Sequence, residues 1–173
     1  LVHLGSAMLA WWFILLTFFT PVMKNKRISQ HAHLIAFFAG LIFVAHPIQT
    51  EAVTYIFQRV TSLTAFFYLF SLCLYIKSRL LEINGSPVSK WIIPYVFSWL
   101  MAVASMFTKE NAFTLPLMII LYEFCFFDTG KHIKYRYSLP FLILLPIIPV
   151  LLFSTKPVTT FENIQPLLNQ PLH

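Results

Sequence analysis

The chain has 173 residues, 58% of them hydrophobic and 17% aromatic but only 10% charged, where a soluble domain carries about 25% charged residues. With a mean hydropathy of +0.76, this composition excludes an ordinary soluble domain and marks an integral membrane protein. The formal charge of +6 would suggest a nucleic-acid partner in a soluble protein; here no nucleic acid is expected, because the charge is distributed as a topology signal.

The chain opens with LVHLGSAMLAWW, which has neither an initiator Met nor the basic n-region of a cleavable signal peptide. It is therefore expected to be an internal piece of a longer protein, forming a single transmembrane domain over residues 1–173. Crossing a hydrocarbon core of about 30 Å takes about 20 apolar residues, fewer where flanking side chains snorkel. Six spans are predicted. The first covers residues 4–22 and stops at Pro21 and the basic MKNKR; the second covers 33–45 and is short. The third covers 62–76 and the fourth 91–107, with Trp91 and Tyr95 as expected interfacial anchors. The fifth covers 112–127. The sixth, 139–153, contains Pro140, Pro146 and Pro149 and is expected to be kinked or broken. The fold class is all-α: a polytopic helix bundle with a short outer interfacial helix.

The loops between these spans alternate in charge. One side receives Lys24, Lys26, Arg27, Lys77, Arg79, Lys90, Lys131, Lys134 and Arg136; the other receives only Arg59, Lys109 and Lys156. Acidic residues divide evenly, with Glu82, Glu123 and Asp128 against Glu51, Glu110 and Glu162. The positive-inside rule makes the first side cytoplasmic. An even number of spans then leaves both ends outside the cytoplasm, so an earlier span is expected upstream.

Two polar segments interrupt the apolar runs on the outer side. In HPIQTEAVTYIFQR, residues 46–59, His46-Pro47 suits a helix start. On the helix that follows, Glu51, Tyr55, Gln58, Arg59 and Ser62 share one polar stripe. Spacing alone leaves two readings open: a rim helix turned toward a cavity, or solvated interfacial residues with an internal contact from Glu51 to Arg59 or Tyr55. His46 by itself reads as a cap, and no second His or Cys stands at ligand spacing, so no metal is expected. Cys73 and Cys125 sit in apolar runs and read as small hydrophobes rather than a disulfide. The second segment is Thr108-Lys109-Glu110-Asn111. Neighbouring Lys and Glu do not face each other on a helix, so the two should serve different neighbours. Lys109 as a point charge and Arg59 as a fork both suit a phosphate at the membrane surface, against the plainer reading of snorkelling.

HPIQTEAVTYIFQRVTSLTAFFYLFSLCLYIKSR, followed by FTKENAFTLPLMIILYEFCFF, resembles the membrane domain of the transmembrane and tetratricopeptide-repeat O-mannosyltransferase family, especially its bacterial relatives. The resemblance spans roughly residues 35–127, and its pair of patterns, HPxxTEAV and KExAxxLP, is more specific than either alone. It implies a C-type (GT-C) glycosyltransferase fold and transfer of a mannose-like sugar from a polyprenyl-phosphate carrier to a protein hydroxyl outside the cytoplasm. The plasma membrane of a bacterium is the expected location. No cofactor is implied beyond the lipid-linked donor, and the partners implied are membrane lipid, that donor and a protein acceptor. Lys109 matches the basic residue that such enzymes place near the lipid phosphate, Arg59 and Glu51 match the family's outer-helix motif, and Arg59 and Lys109 are expected to bind the donor phosphate. Glu51, with His46, Tyr55, Gln58 and Glu110, would contact substrate or orient these cations. The family's catalytic Asp stands in the first outer loop and is expected upstream of Leu1; no catalytic residue is assigned within the chain, which is expected to be inactive alone. No repeat of about 34 residues is visible.

The competing class is a non-catalytic scaffold or transporter subunit. Transporters place ionisable residues in mid-span or pair broken helices in repeated halves; only the Pro-rich sixth span leans that way.

Overall fold

The structure is a computed structural model that describes residues 2–45, 56–127 and 135–146, with the side chains of 56–59 and 135 outside the description. The described residues form helices and turns without a strand. Helix α1 is Val2–Phe18, α2 Ala32–Ala45, α3 Ile56–Ile83, α4 Val88–Thr108, α5 Leu115–Tyr122 and α6 Leu139–Leu142. The all-α membrane bundle expected from composition is what the chain forms: four described segments are long and apolar enough to cross a bilayer, and α1 is a shorter apolar helix.

Helix α1 hides its hydroxyls by bonding them back along the helix, as apolar surroundings demand. Ser6 Oγ donates to the Val2 carbonyl at 3.2 Å and Thr17 Oγ1 to that of Phe13 at 2.8 Å. Pro21, which has no N–H to extend the ladder, follows its end closely. The second span escapes being short because a 3-10 helix, Arg27–His31, leads into α2, and together they make a 19-residue apolar segment. Only Ala32, Ala36 and Gly40 of α2 are buried, four residues apart on one face. Small residues at that spacing let backbones approach, and the face packs on α1, where Gly40 lies against Trp11. The opposite face, with Leu34, Phe38 and Ile42 exposed, is left for lipid.

The third span is longer than its predicted residues 62–76. Helix α3 runs for 28 residues, so Gln58 and Arg59 belong to its first turn and not to a separate outer helix. It also continues past Lys77 and Arg79, where exposed Lys77 lies over an aromatic ring of α1 and Arg79 is taken into the bundle. The Lys77 ammonium lies 5.6 Å from the Trp12 ring centroid, and Arg79 is 3% exposed inside an ionic cluster described below. The helix stops at a Schellman turn. Gly85 takes φ +73°, Ser86 N–H bonds the Leu81 carbonyl and Gly85 N–H that of Glu82, each at 3.0 Å. Pro87 then opens α4.

Helices α3 and α4 consequently form a tight antiparallel hairpin with a regular seam. Ser105 Oγ donates to the Thr64 carbonyl at 3.3 Å, Ser71 Oγ to that of Ser98 at 2.8 Å, Ser98 Oγ back to Ser71 at 2.8 Å, and Ser78 Oγ to Trp91 at 2.8 Å. Each heptad step down α3 meets a heptad step up α4, the repeat of left-handed helix pairs.

The fifth span is helical from Glu110 to Phe127 but changes pitch twice, from the 3-10 turn Glu110–Thr114 through α5 to a π turn, Glu123–Phe127. Of the sixth, the described part is the 3-10 turn Tyr135–Tyr137, the four-residue α6 and a turn reaching Pro146. Phe141 of α6 is fully buried, with its ring centroid 5.5 Å from that of Tyr75 and 5.9 Å from that of Tyr95. Trp91 and Tyr95, expected as interfacial anchors, pack against this cluster. Each makes an edge contact with Tyr137, and Tyr95 Oη donates to the Tyr137 carbonyl at 2.9 Å.

Candidate functional site

Of the outer residues singled out by sequence, His46, Glu51 and Tyr55 lie outside the described residues, while Gln58 and Arg59 are described in backbone only. Lys109 and Glu110 are fully described. Helix α4 ends at Thr108, whose Oγ1 turns back to the Ala104 carbonyl at 2.7 Å. Lys109 then takes an extended conformation, φ −157° and ψ 143°, and Glu110 begins the next helical turn. The break gives the two neighbours different surroundings, as their adjacency required.

The Lys109 side chain is half-buried and its Nζ donates to Thr61 Oγ1 at 2.9 Å. Thr61 stands on α3 two residues beyond Arg59, so the ammonium and the Arg59 backbone occupy the same end of the bundle. Among the described residues Lys109 has no carboxylate partner. Glu110 is exposed. The turn they open is fastened to α3 a second time, through Tyr68 Oη and Thr114 Oγ1 at 3.4 Å. A fixed ammonium with a neutral partner and donors to spare is chemically suited to an anion.

The opposite, basic end holds a cluster that sequence reading missed. Arg79, counted there as a loop charge, lies inside the bundle, as does Glu123 at 1% exposure. Arg79 forms ion pairs with Glu123 and with Glu82 one helical turn on, and its Nε also donates to Glu123 Oε1 at 3.1 Å. Tyr75 Oη donates to Glu123 Oε2 at 2.9 Å and Tyr137 Oη to Glu82 Oε1 at 3.4 Å. The guanidinium sits 4.5 Å from the Tyr137 ring centroid. One cation thus serves two carboxylates, and no buried polar side-chain atom among the described residues lacks a partner. Its signal in the sequence was Arg79 and Glu123 set among apolar residues near the ends of two spans, since such residues survive in a membrane interior only when paired. No group of three or more His, Cys, Asp or Glu side chains suited to a metal occurs among the described residues.

Helices that bury small residues and a paired charge while exposing large apolar ones to their surroundings define a polytopic all-α membrane protein. Over about half of its length this chain is similar to two proteins named O-mannosyl-transferases. It is 33% identical over 101 residues, 58% of the chain, to "Protein O-mannosyl-transferase Tmtc3" of Drosophila melanogaster. It is 35% identical over 95 residues, 55% of the chain, to "Protein O-mannosyl-transferase TMTC2" of Homo sapiens. The matched stretch takes up 11% of each of these relatives. No family model matches the chain, and no solved structure does.

Proposed function

We propose that the chain is part of a membrane glycosyltransferase that moves a mannose-like sugar from a polyprenyl-phosphate carrier to a protein hydroxyl on the non-cytoplasmic side. The observation that carries the reading is the similarity to two proteins named O-mannosyl-transferases. In this reading Lys109 and Arg59 stabilise the phosphate that departs from the sugar. Negative charge grows on that leaving group in the transition state, and a cation fixed at a low-dielectric boundary acts on it more strongly than one in water. The bond from Lys109 to Thr61 supports this, because it holds the ammonium in place without neutralising it. Glu51, His46, Tyr55 and Gln58 would line the same rim as substrate contacts, Glu110 would support the turn, and the general base would come from another part of the parent protein.

The test uses the full-length parent in membranes supplied with a radiolabelled polyprenyl-phosphate mannose. Wild type should label protein, and Lys109→Ala and Arg59→Ala should each lose at least about tenfold, roughly 1.4 kcal/mol of transition-state stabilisation. Unlabelled protein with every carrier tested would favour the scaffold or transporter alternative. Labelling that survives both substitutions would remove Lys109 and Arg59 from the site while leaving the enzyme standing.

A further inference from the structure

On one flank of their hairpin, helices α3 and α4 leave a groove of about 730 Å³. Its walls are apolar: Phe70 and Leu74 from α3, Ile93 and Phe97 from α4. At its basic end stand Lys77 and Lys90, one from each helix. Both lysines are exposed, and among the described residues neither forms an ion pair. The cluster around Arg79 lies on the same helix, yet its carboxylates are committed to Arg79, Tyr75 and Tyr137. Ile93 and Phe97 remain 58% and 50% exposed, which leaves their side of the groove open to an apolar occupant.

We propose that this groove binds one anionic phospholipid of the leaflet at the basic end, its phosphate between Lys77 and Lys90 and an acyl chain along Phe70, Leu74, Ile93 and Phe97. Charge complementarity selects the occupant. Two unpaired ammonium groups call for net negative charge, which a zwitterionic headgroup lacks, and the apolar walls below them call for a chain attached to that charge. A free phosphate would satisfy only the lysines. The site is separate from the Lys109 end of the bundle and requires no transferase activity.

The full-length parent, reconstituted in bilayers, would be photo-cross-linked with phosphatidylglycerol or phosphatidylcholine carrying an acyl-chain diazirine, and adducts mapped by peptide mass spectrometry. Phosphatidylglycerol should label the peptides holding residues 70–74 and 93–97 at least about fivefold more than phosphatidylcholine, given the attraction of a surface lysine for anionic lipid. The Lys77→Gln/Lys90→Gln variant should lose that preference, and Lys24→Gln/Lys26→Gln, which alters the same face outside the groove, should keep it. Equal labelling by the two lipids overturns the proposal in wild type alone, whatever the variants do. So does a preference that outlasts the Lys77 and Lys90 substitutions, or displacement of the lipid by millimolar glycerol phosphate, which would mark a site for free phosphate.

Discussion

Ser71 and Ser98 each donate a side-chain hydrogen bond to the other's backbone carbonyl, both at 2.8 Å, across two helices whose other partners are spaced seven residues away on either side. A hydroxyl is small enough for the backbones to close and polar enough to reach across once they have.

Replacing Ser98 with Leu should therefore destabilise the bundle more than replacing it with Ala. The alanine variant loses hydrogen bonds worth about 0.6–2 kcal/mol in total for membrane helices. The leucine variant also forces the helices apart, adding about 1–3 kcal/mol. Unfolding of the full-length protein in mixed micelles, followed by circular dichroism, would rank the two.

The ionic cluster predicts a cost that depends on which partners remain. Glu123→Ala strands most of the Arg79 charge in an apolar setting and should cost about 3–5 kcal/mol. Removing both charges, as in Arg79→Met/Glu123→Met, should cost less than the sum of the single changes, because neither member of the buried Arg79–Glu123 pair is left without the other, although Glu82 still loses its contact with Arg79. A double-mutant cycle on the same unfolding assay measures the difference; strict additivity would contradict the arrangement.

At Gly85 the effect should be one of backbone alone. Nothing lies within 4 Å of an added Cβ, yet φ is +73°, a conformation that costs an L-residue about 1–2 kcal/mol. Gly85→Val should lower the unfolding midpoint, and Gly85→Asn should recover part of the loss, since Asn visits this region more readily.

Thr61 should act as a positioning residue for Lys109. In the transfer assay Thr61→Val should reduce labelling, Thr61→Ser should restore it, and Thr61→Val should add little once Lys109 is already Ala. Independent, multiplicative losses would show that the hydrogen bond between them has no part in transfer.

The spans were readable because long apolar runs have one solution in a bilayer, and the fold class followed from that. Boundaries drifted where a charge was treated as a stop. Lys77 and Arg79 seemed to end the third span, and for Arg79 the distant counter-ion Glu123, in the π turn after α5, helps to explain why it does not. A chain read in order cannot display a pairing across 44 positions. Lys109 stood out as a charge at a span's end, but its partner did not. A Thr in an apolar helix ordinarily bonds its own preceding turn, as Thr64 does to Val60 at 2.9 Å, so nothing in the letters distinguished Thr61. The heptad of Thr64, Ser71 and Ser78 could have been noticed, and its antiparallel match in α4 required the hairpin.

The placement of Glu82 bears on how the protein is made. Arg79 emerges from the ribosome well before Glu123, 44 residues later in the chain, and would otherwise enter the bilayer as a bare cation. Glu82, three residues on and already ion-paired with it, travels in the same helix. The α3–α4 hairpin thus carries a counter-charge for Arg79 within its own sequence, and the π turn after α5 adds Glu123 to complete the cluster.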